Sequence, residues 1–300
     1  MSLVYADEIQ HALLEGAPIV ALESTVITHG LPYPANRDTA LAMENAVREG
    51  GAIPAIVAIL NGQITVGLSE AEIEYLAQAE GVRKCSRRDF PIAIGLGEDA
   101  ATTVAGTMIV AHMAGIKVFA TGGIGGVHRG HPFDVSADLI ELGRTPVAVV
   151  CSGAKSILDL PLTLEVLETN GVPILGYQTD TLPSFYSRPS GLPIDARVDT
   201  SEQIASVIKA ADNLKAQHGI LITVPVPEAD ALDYDLAEQA IEQATAEAEQ
   251  QGIHGKEVTP FVLSRVVELT DGKSMIANQA LLQNNARVAA QIASLLSLAE

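Results

Sequence analysis

Residues 147–176, VAVVCSGAKSILDLPLTLEVLETNGVPILG, contain one full repeat of the architecture. Residues 147–151 form an apolar, β-branched run of strand length, residues 163–169 space their apolar side chains as a helix does, and residues 173–176 are a second apolar run. An apolar strand, a helix and another apolar strand suit a parallel sheet covered on its faces by helices. Towards the amino terminus the same alternation continues. Residues 18–22 read as a buried strand and Ala35–Glu49 as a helix. Ile53–Leu60 and Gln63–Val66 read as two strands joined by the turn Asn61-Gly62. Glu70–Gln78 is a short amphipathic helix, residues 102–114 an apolar helix, and residues 118–121 a strand entering a glycine-rich turn. Towards the carboxyl terminus come a helix over 201–217 and a strand over 219–224 that stops at Pro225-Val226-Pro227. Helices at about 229–250, 259–269 and 273–298 follow. The pattern predicts one domain over residues 1–300, a three-layer α/β/α sandwich with a mainly parallel or mixed central sheet and a helical C-terminal third. Residues 181–198, the longest irregular stretch, read as a lid or binding loop.

Hydrophobic residues make up 48% of the chain but aromatics only 4%, with no tryptophan, so Ala, Val, Ile and Leu must build the core. The 18 basic and 37 acidic residues give a formal charge of −19. That balance argues against a nucleic-acid partner, because phosphate backbones are held by clustered Lys and Arg. The acids gather at 70–80 and 228–249, as a solvated face would. If the ligand is an anion, the scarce cations Lys84, Arg87, Arg88, Arg129 and Lys155 gain weight. Cys85 and Cys151 form no CxxC pair, and His29, His128 and His131 lack HxxxH spacing, so neither a redox motif nor structural zinc is expected. Residues 1–10 carry no basic start followed by an apolar run, and no apolar segment reaches the ~18 residues a bilayer span needs. A cytoplasmic protein without a membrane partner is expected.

In open α/β sheets ligands bind beyond the carboxyl ends of the strands. Four polar clusters follow expected strands: Glu23-Ser24-Thr25 with Thr28-His29-Gly30, Lys84 to Asp89, Thr121 to Asp138, and Cys151 to Ser156. Lys155, after Ser-Gly-Ala, is either a nucleophilic amine near the ligand end of the sheet or a solvent-facing loop lysine. Glu23 ends the run Ile19-Val20-Ala21-Leu22, where a partly desolvated carboxyl is either a proton donor or a cap or ion-pair partner. The loop Gly122-Gly123-Ile124-Gly125-Gly126 either cradles a phosphate with backbone amides or makes a tight turn, and it matches neither the P-loop nor GxGxxG. Asp134 and Asp138 offer oxygen ligands to a hard divalent cation, while Asp138 near a helix start also favours the helix dipole.

Together these stretches resemble the pseudouridine-5′-phosphate glycosidase family, which includes indigoidine synthase A-like proteins. The likeness is carried by ALESTVITHGLPYP, GAIPAIVAILNGQITVGLS, KCSRRD, FATGGIGGVHRG, residues 134–177 and SMIANQALLQNNARVAA. The resemblance implies reversible cleavage of the C-glycosidic bond of pseudouridine 5′-phosphate to uracil and ribose 5-phosphate, through a lysine Schiff base on the opened ribose. It places the nucleophile on Lys155 and the proton donor on Glu23. Substrate contacts fall on Lys84, Val104, Ser136, Ala137 and Asp138, and the manganese-associated carboxylate on Asp134. His128 and Asn278 match further positions lining the family's site. Mn(2+) or another divalent cation and a homotrimer are also implied. A Schiff-base aldolase or lyase acting on another sugar phosphate would use the same lysine and acid. A non-catalytic sugar-phosphate-binding protein would use neither.

Overall fold

A strand covered on both faces has no position for a solvated side chain, and Ile19–Leu22, Ala148–Cys151 and Ile220–Thr223 are buried throughout. The structure, a computed structural model, describes residues 3–253 and 258–298. Met1, within the amino-terminal stretch considered above, lies outside them. The strands are β1 (Val4–Tyr5), β2 (Ile19–Leu22), β3 (Ile53–Leu60), β4 (Gln63–Val66), β5 (Arg83–Cys85), β6 (Ala100–Thr102) and β7 (Val118–Ala120). They continue with β8 (Val127–His128), β9 (His131–Val135), β10 (Ala148–Cys151), β11 (Leu158–Asp159), β12 (Ile174–Tyr177), β13 (Ala196–Val198) and β14 (Ile220–Thr223). Among the described residues an 11-stranded sheet runs in the order β1-β4-β3-β2-β7-β10-β14-β12-β13, with β6 and β5 added beside β3. Its middle, from β3 to β13, is parallel, whereas β4 and β6 pair antiparallel with β3. A small antiparallel sheet, β11-β8-β9, stands apart.

Strand order fixes the layers. From β2 the chain passes through the helix Ala35–Glu49 to β3 on one side, then reaches β7 on the other side of β2 through the helix Val104–Met113. Right-handed crossovers put these two helices on opposite faces of the sheet. The long helix Lys273–Ser297 packs with Ala35–Glu49 and Ser201–Leu214 across β2, β7 and β10. On the other face Val104–Met113 lies on β2, β3 and β7, with Ala137–Leu142 and then Leu160–Thr169 beside it. The point where strand order reverses therefore lies between β2 and β7, where open sheets bind ligands.

The Asn61-Gly62 turn carries positive φ at both residues (49° and 74°), as a type I′ hairpin requires. Two local expectations are corrected. The helix expected over 102–114 begins at Val104, because Thr102 ends β6 and Thr103 caps the helix through Gly106 N–H. Arg83–Cys85 and His131–Val135, which the sequence marked only as parts of polar clusters, pair as strands. The stretch 181–198 is packed rather than lid-like: Leu182, Phe185 and Tyr186 are buried, and Ala196–Val198 pairs with β12. Its apolar side chains find cover against the glycine turns described below.

Burial pushes the Glu44 carboxyl up to about 7, with Glu8 and Glu70 adding to the rise and Arg48 opposing it. The folded state therefore keeps a proton on Glu44 that the unfolded chain releases near 4.5. A raised folded value means the associated stability is full below the unfolded value and is lost as pH climbs through the folded one. Glu44→Gln should raise the melting temperature at pH 8 by roughly 1–3 °C and give no gain at pH 4.5, as thermal melts at the two pH values will show.

Candidate active site

A carboxylate at the end of an apolar strand must find donors, and Glu23 does. It follows β2, is buried, and accepts hydrogen bonds from the Thr25 and Thr121 hydroxyls, one on each oxygen. Thr121 follows β7, so the two strands flanking the switch point are joined through this acid. Next to it, Ser24 Oγ donates to Val57 O at 2.6 Å and accepts Thr102 N–H at 2.9 Å, tying β2 to β3 and β6.

Lys155 leaves the end of β10 after the turn at Gly153, whose φ of +84° favours glycine. Lys155 N–H donates to Ile124 O at 3.1 Å, which lays this loop against the glycine turn after β7. Glu23 and Lys155 line one cavity of about 280 Å³. Lys84, Val104, His128, Asp134, Ser136 and Asp138 line it too, so eight of the ten expected residues meet there. Ala137 and Asn278 do not line this cavity: Ala137 is exposed at the first turn of its helix, and Asn278 is half-buried on Lys273–Ser297. A larger cavity of about 730 Å³ shares only His128 and Asp134 with it and is otherwise walled largely by apolar side chains. The smaller one holds the convergent polar groups, which is the mark of a chemical site.

The glycines of 122–126 are explained by close approach. A Cβ on Gly125 would sit 2.2 Å from Ser136 Oγ, and one on Gly123 would sit 2.7 Å from the Phe185 ring. Two amides of this loop are already committed, Ile124 N–H to Gly153 O at 3.0 Å and Gly125 N–H to Asp138 Oδ2 at 2.8 Å. Asp138 also accepts Ala105 N–H at 2.9 Å through Oδ1, satisfying one of the unpaired donors at the start of Val104–Met113. Buried with both oxygens engaged, Asp138 builds the wall between two helix starts.

The cations separate into two groups. Arg87 is bound bidentately by Glu141 at 2.6 and 2.8 Å, and Arg129 by Glu238 at 2.9 and 3.0 Å. Lys84, Arg88 and Lys155 face the cavity instead. In a chain of charge −19, Lys84 and Arg88 line this cavity beside the capped start of Val104–Met113, in the company of Glu23, Asp134 and Asp138. Also on this cavity, Asp134 Oδ2 stands 2.8 Å from His128 Nδ1, a buried nitrogen without a well-aligned hydrogen bond among the described residues. No group of three or more His, Cys, Asp or Glu side chains gathers there among the described residues. One exposed carboxylate beside one imidazole fits a hard cation that keeps most of its water.

Several residues of the site had no role assigned from the sequence. Thr25 and Thr121 sat inside flagged clusters, yet nothing local marks Thr121 as the partner of an acid 98 positions away. Ser86 and Thr103 meet each other at 2.9 Å on the cavity wall, and Thr259 reaches it from the helix Val258–Leu269. No sequence signal pointed to Thr259. Burial pushes the Cys151 thiol up to about 12, in keeping with a packed, unreactive cysteine.

The sequence and the fold are shared with known proteins. The chain is 56% identical over 290 residues to the pseudouridine-5′-phosphate glycosidase of Hahella chejuensis, covering 96% of each. It is 55% identical over 297 residues to the protein of that name from Geobacillus kaustophilus, covering 98% of this chain and 99% of the other. Among solved structures it is similar to the prealnumycin C-glycosynthase AlnA in complex with ribulose 5-phosphate, with 41% identity, a TM-score of 0.91, and 99% and 98% of the two chains covered. An indigoidine synthase A-like protein from Thermotoga maritima superposes with a TM-score of 0.90 at 37% identity, over 98% and 97% of the chains. The family described as Indigoidine synthase A like protein matches residues 8–295, and the chain belongs to it.

Proposed function

We propose that this protein cleaves and forms the C-glycosidic bond between uracil and ribose 5-phosphate in pseudouridine 5′-phosphate. The observation that carries this reading is the meeting of Glu23 and Lys155 in one cavity with the cations Lys84 and Arg88. The names borne by relatives at 55–56% identity support it. A leaving group bonded through carbon has no lone pair to protonate, so a pair of carboxylates of the usual glycosidase kind is insufficient. A lysine amine supplies the electron pair that such a bond needs.

In this mechanism the 5′-phosphate lies against Lys84, Arg88, Ser86 and Thr103 at the start of Val104–Met113. Glu23 reacts in its protonated form, in which the Thr25 or the Thr121 hydroxyl accepts from it instead of donating, and delivers that proton to the ribose ring oxygen. The C1′–O4′ bond opens and Lys155 Nζ bonds to C1′. The proton that Nζ sheds on bonding to C1′ passes to uracil C5, the C1′–C5 bond breaks with its electron pair going to the base, and the lysine lone pair forms the C=N bond. Water adds to this iminium, releasing ribose 5-phosphate as its aldehyde and returning the amine. His128, Ser136 and Asp138 line the cavity around the sugar and base. We also place a divalent cation, manganese or its like, at Asp134 with His128 beside it, where it would offset anionic charge on the substrate. Ala137 and Asn278, implied by the resemblance, stay outside this scheme. A single domain, assembled as a homotrimer in the cytoplasm, completes the reading.

Lys155→Ala should abolish uracil release from pseudouridine 5′-phosphate while its circular dichroism and melting temperature stay close to wild type. Borohydride added with ribose 5-phosphate should leave a reduced sugar-phosphate mass on the peptide containing Lys155, and an adduct on Lys84 would exchange the two assignments. Aldehyde release from aldol substrates without uracil release would favour the aldolase reading. Exhaustive chelation should lower turnover at least about tenfold, restored by manganese, whereas unaffected kinetics would leave Asp134 as a purely structural partner of His128.

A further inference from the structure

We propose that Asn285 is a positioning residue that holds the Glu23 and Lys155 ends of the site in mutual register. This deepens the function proposed above and rests on it for the roles of those two groups. Asn285 lies on the helix Lys273–Ser297, one turn beyond Leu281 and Leu282, which press on Gly122 so closely that a Cβ there would meet Leu282 at 3.0 Å. The helix thus crosses directly over the end of β7. Fully buried, Asn285 donates from Nδ2 to Thr121 O at 2.9 Å and to Ser152 Oγ at 3.1 Å.

Those two contacts reach the two halves of the chemistry. Thr121 is the residue whose hydroxyl holds one oxygen of Glu23. Ser152 opens the loop that carries Lys155, and its N–H donates to Gly122 O at 2.8 Å, so both loops are already stitched together through the backbone. A side-chain amide with both N–H groups spent on these loops is a bridge between strand ends. A leucine would fill the same volume and keep the helix packed, so core packing alone does not call for an amide at a fully buried position. The asparagine does not line the cavity, and its side-chain hydrogen bonds go to Thr121 and Ser152.

The test combines kinetics with amide exchange. Asn285→Ala should lower kcat on the order of 10- to 100-fold with KM changed less than about twofold. In a Glu23→Gln background the same change should cost less than about threefold, because groups acting as a unit are not additive. An equal fold loss in both backgrounds, or an effect confined to KM, overturns the inference. In the unliganded protein Asn285→Ala should speed amide exchange in peptides covering 120–122 and 151–155 while the hairpin 53–66 stays unchanged. Unchanged exchange in the two loops overturns the bridge whatever the substrate proves to be. Faster exchange there in an enzyme that never releases uracil upholds the bridge and rejects the proposed reaction instead. Should Asn285→Ala fail to fold, Ser152→Ala decides, since it cuts one arm and leaves the helix intact: a lower kcat at constant KM supports the bridge, and an unchanged kcat overturns it.

Discussion

Burying a carboxylate is costly unless donors meet it, and the need to satisfy Glu23 organises the centre of this molecule. Its two oxygens are taken by hydroxyls from its own strand end and from the next strand, Thr25 and Thr121. Thr121 can serve only if β7 lies beside β2 in parallel register, Leu22 opposite Ala120. The same alignment brings β10 alongside β7 and carries Lys155 to the same edge of the sheet. Sheet topology and the geometry of the reacting groups are therefore one constraint seen at two scales.

Space is the second constraint. The loops after β7 and β10 run against each other, against Phe185 and against Ser136 at distances that leave no room for a Cβ at Gly123 or Gly125, and Gly122 lies tight against Leu281 and Leu282 of the helix Lys273–Ser297. A buried backbone in this position must have its polar groups paired, and the pairing comes from Asp138, Asn285 and the two loops themselves. Leaving the Thr121 carbonyl without its amide would cost about 1–3 kcal/mol, a considerable share of a typical domain's net stability. The amino-acid choices that look catalytic in the sequence are in part choices that let two loops touch.

Charge is distributed to the same end. Most of the negative charge lies on solvated helices, where salt and water screen it. Arg87 and Arg129 are consumed by Glu141 and Glu238, which fasten helices to the loops around the site. What lines the cavity is Lys84, Arg88 and Lys155 together with Glu23, Asp134 and Asp138, so opposite charges share one small space inside a strongly acidic chain.

Much of this was legible in the chain. Apolar runs of strand length, helical spacing between them, and the Asn-Gly turn determined a layered sheet with helices gathered after Pro225, because burial and backbone sterics act on neighbouring residues. Eight of the ten expected site residues, Glu23 and Lys155 among them, met in one cavity because open sheets gather their strand ends at one edge. The tertiary structure alone decided the rest. It set Ala137 and Asn278 apart from the cavity, gave Asp138 to two backbone amides, turned the stretch 181–198 into packing for glycine loops, and brought Thr121 to Glu23 and Asn285 to both loops. These depend on contacts between residues far apart in sequence, whose partners are chosen by strand order and helix crossing, and no local pattern of residues encodes them.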